Sequence, residues 1–98
     1  MPSAVPNPFH SPAASPAQET WCFALQAEAS PGLMARVLEL FAKRNLLPAR
    51  WHANVPPGSS DLTMDIQVAD IDRDLAHFIA RSMRQIVGVS AVLVSMKG

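Results

Sequence analysis

Residues 28–41 read Glu-Ala-Ser-Pro-Gly-Leu-Met-Ala-Arg-Val-Leu-Glu-Leu-Phe, and this stretch decides the fold. Ser30 suits a helix N-cap, because its hydroxyl can accept from an unsatisfied N–H of the first turn. Pro31 suits the first helical position, where no N–H is needed and φ is already set. Gly32 leaves the helix N-terminus without a side-chain wall. Met34, Val37, Leu38 and Phe41 then recur at i, i+3, i+4 and i+7, an apolar helical stripe. Arg36, Glu39 and Lys43 fall on the other side. The stretch is therefore a joint where a strand hands over to a helix. Its open N-terminus offers N–H groups to a small anion such as a carboxylate. The same Ser-Pro-Gly also serves simply as a tight strand-to-helix turn.

Working outward, Thr20–Ala27 alternates as a strand, with Trp21, Phe23, Leu25 and Ala27 on one face and Cys22, Ala24 and Gln26 on the other. The first helix is expected from about Pro31 to Arg44, with Asn45 as a left-handed stop. A second strand covers roughly Leu47–Val55. Pro48 near its start cannot donate to a ladder and favours an edge. Pro56-Pro57-Gly58-Ser59-Ser60 is a strong turn signal and makes a hairpin with the third strand, Asp61–Val68. Here Leu62, Met64, Ile66 and Val68 alternate with Asp61, Thr63, Asp65 and Gln67. A second helix is expected after Asp70, to about Val87. Its inward stripe is Ile71, Leu75, Phe78, Ile79, Ser82 and Ile86; Asp72, Arg73, His77, Arg81 and Arg84 lie outward, and Gly88 is its C-cap. The last strand, Val89–Ser95, is apolar on both faces, through Val92 and Val94 on one and Ala91 and Leu93 on the other.

The order is βαββαβ. With right-handed crossovers it predicts an α+β, ferredoxin-like sandwich: a four-stranded antiparallel sheet with two helices on one face. Strands 1 and 3 are central and strands 2 and 4 are edges. A bare sheet face and open edges in so small a domain favour a homodimer, by strand addition through strand 2.

Composition narrows the function. Of 98 residues, 49% are hydrophobic and 16% charged, enough for one small core and little spare polar surface. The eight Lys and Arg balance eight Asp and Glu and form no basic stripe in sequence, so nucleic acid is not an expected partner. One cysteine, Cys22, excludes an internal disulfide. No apolar run reaches the roughly 18 residues of a membrane span, and no secretory signal is visible, so a cytoplasmic location is expected. Residues 1–18 hold five of the nine prolines and no charged side chain. A disordered, proline-rich tail is expected over 1–19 and one folded domain over 20–96.

Catalytic chemistry is sparse. His10, His52, His77 and Cys22 have no metal-ligand spacing, and Cys22 reads as a buried small hydrophobe. Asp61 and Asp65 are explained by the polar face of a strand. Arg50-Trp51-His52 is a candidate interface cluster, because Arg and Trp are enriched at hot spots; Trp51 alternatively fills core under the first helix. No metal site is expected.

Pro31-Gly32-Leu33, residues 35–41, residues 62–68 and Ile86-Val87-Gly88-Val89, in this order and spacing, resemble the ACT domain, a small amino-acid-binding regulatory module. The likeness is nearest to the short, single-domain kind of small subunit of acetohydroxyacid (acetolactate) synthase. That resemblance implies a non-catalytic subunit of branched-chain amino-acid biosynthesis, not itself an enzyme, that activates a catalytic large subunit. Thiamine diphosphate would belong to that partner, and this chain would carry no cofactor. It also implies an effector site, for an amino acid such as valine, at Ala29, Ser30, Pro31, Gly32, Leu33 and Met34. Many members have an acidic or amide residue at the position of Ala29. A methyl group cannot accept from an ammonium, which implies weakened or lost feedback binding. The alternative role is a stand-alone sensor of a small amino acid.

Overall fold

The computed structural model describes residues 18–97; residues 1–17, most of the expected tail with His10 in it, lie outside them. The elements are β1 (Glu19–Glu28), α1 (Pro31–Ala42), β2 (Arg50–Asn54), β3 (Asp61–Ile71), α2 (Arg73–Arg84) and β4 (Val89–Met96). They form one antiparallel sheet in the order β2-β3-β1-β4. The expected βαββαβ sandwich, with β1 and β3 central, is what the chain adopts. β1 begins at Glu19, within the expected tail, and β3 runs three residues past the expected Val68 to Ile71.

Alternation sets the two faces. Trp21, Phe23, Leu25 and Ala27 of β1 and Leu62, Met64, Ile66 and Val68 of β3 are buried beneath the helices. Val92 joins them from β4, and Trp51 and Ala53 pack partly from β2. On the other face Arg50, Gln67, Cys22 and Ser95 make one row across the sheet, and His52, Asp65, Ala24 and Leu93 the next. Leu93 is 73% exposed there. Cys22 is half-buried on this open face, not a fully buried hydrophobe.

The end of α1 follows from Asn45, whose φ of 59° is left-handed. Leu46 N–H donates to Phe41 O at 2.9 Å and Asn45 N–H to Ala42 O at 3.0 Å. This is the paired-bond Schellman stop, and Leu46 packs on the core beyond it. The start differs from expectation. Ser30 holds the N-cap position, but its side chain makes no capping bond; its backbone carbonyl accepts from Leu33 N–H at 3.1 Å. The stripe is also rotated: Leu33, Val37 and Phe41 are buried, while Leu38 is 48% exposed.

α2 departs further. Its buried residues are Ala76, Ile79, Ala80 and Met83, with Leu75 and Ile86 only partly buried. Phe78 is 42% exposed. The expected stripe counted Ile71 as helical, but Ile71 pairs with Glu19 at the end of β3, and Asp70, with φ of 61°, lies at the register shift inside that strand. Without that anchor the two alanines turn inward, where their small side chains let the helix lie close to the sheet. The C-cap is Gln85, not Gly88. Gly88 is the third residue of a turn closed by Val89 N–H to Ile86 O at 3.1 Å, with φ of 102°.

Asp72 caps α2, its carboxylate accepting from Leu75 N–H at 2.8 Å. Asp72→Ala should therefore cost about 1 kcal/mol, whereas Ser30→Ala, which removes no cap bond, should stay within about 0.5 kcal/mol. Paired urea denaturation curves read the difference; equal losses would mean that the two caps do not differ.

Candidate functional site

The joint between β1 and α1 is held from two sides. Glu28 N–H donates to Gly88 O at 2.9 Å, and Ala29 N–H donates to Ser60 O at 2.8 Å. The start of α1 is thereby tied to the turn before β4 and to the hairpin before β3. Beside it lies a hollow of about 390 Å³ lined by Glu28 and Gln26 of β1, Asp61 of β3, and Gly88, Val89 and Ser90. Glu28 and Asp61 are cross-strand partners, so two carboxylates line one wall. Ser90 Oγ donates to Gln26 O at 3.0 Å and closes the opposite side.

The six candidate effector residues separate into three surroundings. Ala29, Ser30, Pro31 and Gly32 are exposed at the turn. Leu33 is buried, and a Cβ added at Gly88 would meet its Cδ1 at 2.9 Å. Met34 points the other way, into an apolar groove of about 330 Å³ with Ala35, Leu38, Leu47, Pro48 and Trp51. The candidate interface residues also divide. Trp51 is half-buried and packs on the core edge beside Met34, while Arg50 and His52 are exposed on the open sheet face.

Gly32 is informative. Its backbone is not in the left-handed region, and an added Cβ would meet nothing nearer than Ser30 Oγ at 3.9 Å. Neither backbone conformation nor packing requires a glycine there, although glycine is the weaker helix former. By contrast, conformation and packing both require Gly88. Glu28, Asp61 and Gly88 were not effector candidates from sequence, because they meet only in the folded sheet; the signal available was a carboxylate just after the first expected strand and another opening the third.

His77 is not freely solvated on α2. Its ring meets Trp21 edge-on at 5.7 Å, and the Arg73 guanidinium lies 5.5 Å from the same indole. Among the described residues no group of three or more His, Cys, Asp or Glu is placed to share a metal ion. Among the same residues no helix is long and apolar enough to cross a membrane.

A family model described as an ACT-like domain matches residues 14–97. No curated protein matches the chain. Among solved structures, the chain is similar to the ACT domain of a GTP pyrophosphokinase from Chlorobium tepidum, with a TM-score of 0.69 at 13% identity, over 81% of this chain and 100% of that one. It is similar to an uncharacterized protein from Thermotoga maritima, with a TM-score of 0.68 at 14% identity, over 82% and 98% of the two chains. It also resembles part of a formyltetrahydrofolate deformylase from Pseudomonas putida, with a TM-score of 0.60 at 12% identity, over 79% of this chain and 28% of that one. Identities this low speak for the fold alone.

Proposed function

Because the chain belongs to the ACT-like domain family, we propose that it is a non-catalytic regulatory module that binds a small amino acid at the β1–α1 joint and passes that state to a partner enzyme. The observation that carries the reading is Gly32: a glycine that neither backbone nor packing needs, at an exposed helix N-terminus. The hollow walled by carboxylates adjoins the same joint through Glu28 and Gly88, and none of residues 29–34 lines it. A helix N-terminus attracts a carboxylate. Glu28 and Asp61 supply the acceptors for an ammonium that Ala29 lacks. The two ends of an amino acid thus have complementary groups on either side of one joint.

Thermal unfolding tests this. Addition of a panel of amino acids should raise the midpoint for at least one, because ligand at about 100 times its dissociation constant adds about 2.7 kcal/mol. Gly32→Ala should leave the unliganded midpoint unchanged or higher and weaken the ligand-induced rise. Glu28→Gln with Asp61→Asn should abolish it. A flat response to every amino acid would remove the effector site.

The partner proposed from the sequence resemblance is the catalytic subunit of acetolactate synthase, with this chain as its activating subunit and a homodimer as the working form. The exposed β2 edge, flanked by Arg50 and His52, would take the second copy. Acetolactate turnover by that subunit, measured with and without this chain and with valine, tests the pairing. Unchanged turnover together with no co-elution would leave the stand-alone sensor, which the carboxylate-lined hollow also supports.

A further inference from the structure

We propose that the helix layer, centred on Phe78, is a docking surface for an acidic segment of a partner protein. The chain is neutral, but its charge is divided between its two layers. α1 and α2 with their caps and end residues, over 31–45 and 72–85, carry six of the eight Lys and Arg and three of the eight Asp and Glu. The strands and connecting segments carry the other two cations and five carboxylates. Net charge alone hides this, because the sequence interleaves the two layers.

Two of these six cations, Arg44 and Arg81, are gathered on an aromatic anchor, whereas Arg84 donates to Val92 O at 2.9 Å and Arg73 lies by Trp21. Phe78 is 42% exposed. The Arg44 guanidinium, from the end of α1, lies 4.6 Å from its ring centroid, and that of Arg81 lies 5.8 Å from it. Arg44 is further fixed by donating from Nη1 to Leu40 O at 3.0 Å. Two arginines held on a ring have lost part of their rotamer freedom before any partner arrives, which lowers the cost of docking. An exposed ring beside one exposed arginine, Arg81, and one half-buried arginine, Arg44, has the composition of an interface hot spot. The excess of positive charge selects a carboxylate-bearing surface and speeds its approach. The surface fits a protein better than a nucleic acid: the ring already serves two cations instead of lying free for base stacking, and Glu39 and Asp74 interrupt the positive field. This surface lies across the fold from the open sheet face and is independent of whether an effector binds at the β1–α1 joint.

Backbone amide NMR titration of the full chain tests it. The probes are a helical peptide with Glu on one face and Leu on the other, the same peptide with Lys for Glu, and a single-stranded oligonucleotide. The acidic peptide should shift the amides around Arg44, Phe78 and Arg81, and its affinity should fall as salt rises past about 0.15 M, where the Debye length is about 8 Å. Arg44→Glu with Arg81→Glu should weaken binding at least about tenfold, or 1.4 kcal/mol, and reduce its salt dependence, whereas Phe78→Ala should weaken it and leave the salt dependence in place. Equal binding of the Lys peptide, tighter binding of the oligonucleotide, shifts confined to the sheet face, or no binding of the acidic peptide at millimolar concentration would each overturn the proposal.

Discussion

Replacing Gly88 by alanine is expected to lower the thermal midpoint by roughly 10–20 °C, the result of losing about 2–3 kcal/mol in a domain of this size. Two effects add. The φ of 102° is one that residues with a Cβ rarely adopt. The new Cβ would also stand 2.9 Å from Leu33 Cδ1. Leu33 cannot simply swing away, because it is 4% exposed and belongs to the core. Moving it means shifting the first turn of α1. Gly58→Ala separates the two effects: φ there is 77°, but nothing lies within 4 Å of the added Cβ, so only the backbone cost of about 1–2 kcal/mol remains. Calorimetric unfolding of both variants reads the difference. Equal losses would mean that the Leu33 contact contributes nothing. Because Gly88 O also accepts from Glu28 N–H, Gly88→Ala should weaken any amino-acid response more than Gly58→Ala does.

Gly88 also marks what was legible in the sequence and what was not. A glycine before an apolar strand signals a left-handed backbone, but not that Leu33, far away in the chain, packs against it. The strands were legible because period-2 alternation is local: β3 places Leu62, Met64, Ile66 and Val68 on one face without reference to anything else. The strand order followed from the element order and handedness. The phase of α2 was not legible, since apolar residues at 71, 75, 76, 78, 79, 80, 83 and 86 allow two stripes. What decided between them was the left-handed Asp70, which gave Ile71 to β3. The exposed turn at Ala29–Gly32 was found from its residues. The hollow beside it was not, because Gln26, Glu28, Asp61, Gly88 and Ser90 come from three strand ends that only the folded sheet brings together. The division of charge between layers escaped for the same reason. Local patterns survive reading in one dimension; juxtapositions made by pairing do not.

Phe41→Ala should be the most damaging single change, at about 3–5 kcal/mol. The ring is fully buried and meets Phe23 edge-on, with centroids 5.8 Å apart and planes at 71°, a geometry worth about 0.5–1.5 kcal/mol beyond area burial. It lies where α1 rests on β1, the central strand, and its own backbone carbonyl accepts both Arg44 and Leu46 N–H groups at the helix stop. Truncation leaves a cavity that this tight layer cannot fill by local collapse. Val37, Ile79 and Met83 of the same core cluster are themselves fully buried. A domain of about 80 residues holds roughly 4–12 kcal/mol in total, so the variant should sit at or near the edge of unfolding at 37 °C. Phe41→Leu keeps most of the volume and should lose only about 1–2 kcal/mol. Urea midpoints for the two variants give the comparison, with the slope checked for two-state behaviour. A loss below about 1 kcal/mol for the alanine variant would show that α1 is not anchored through this ring. In the range expected, the helix whose N-terminus forms the candidate site is held in place from its far end, and site occupancy and global stability should then rise and fall together across variants along α1.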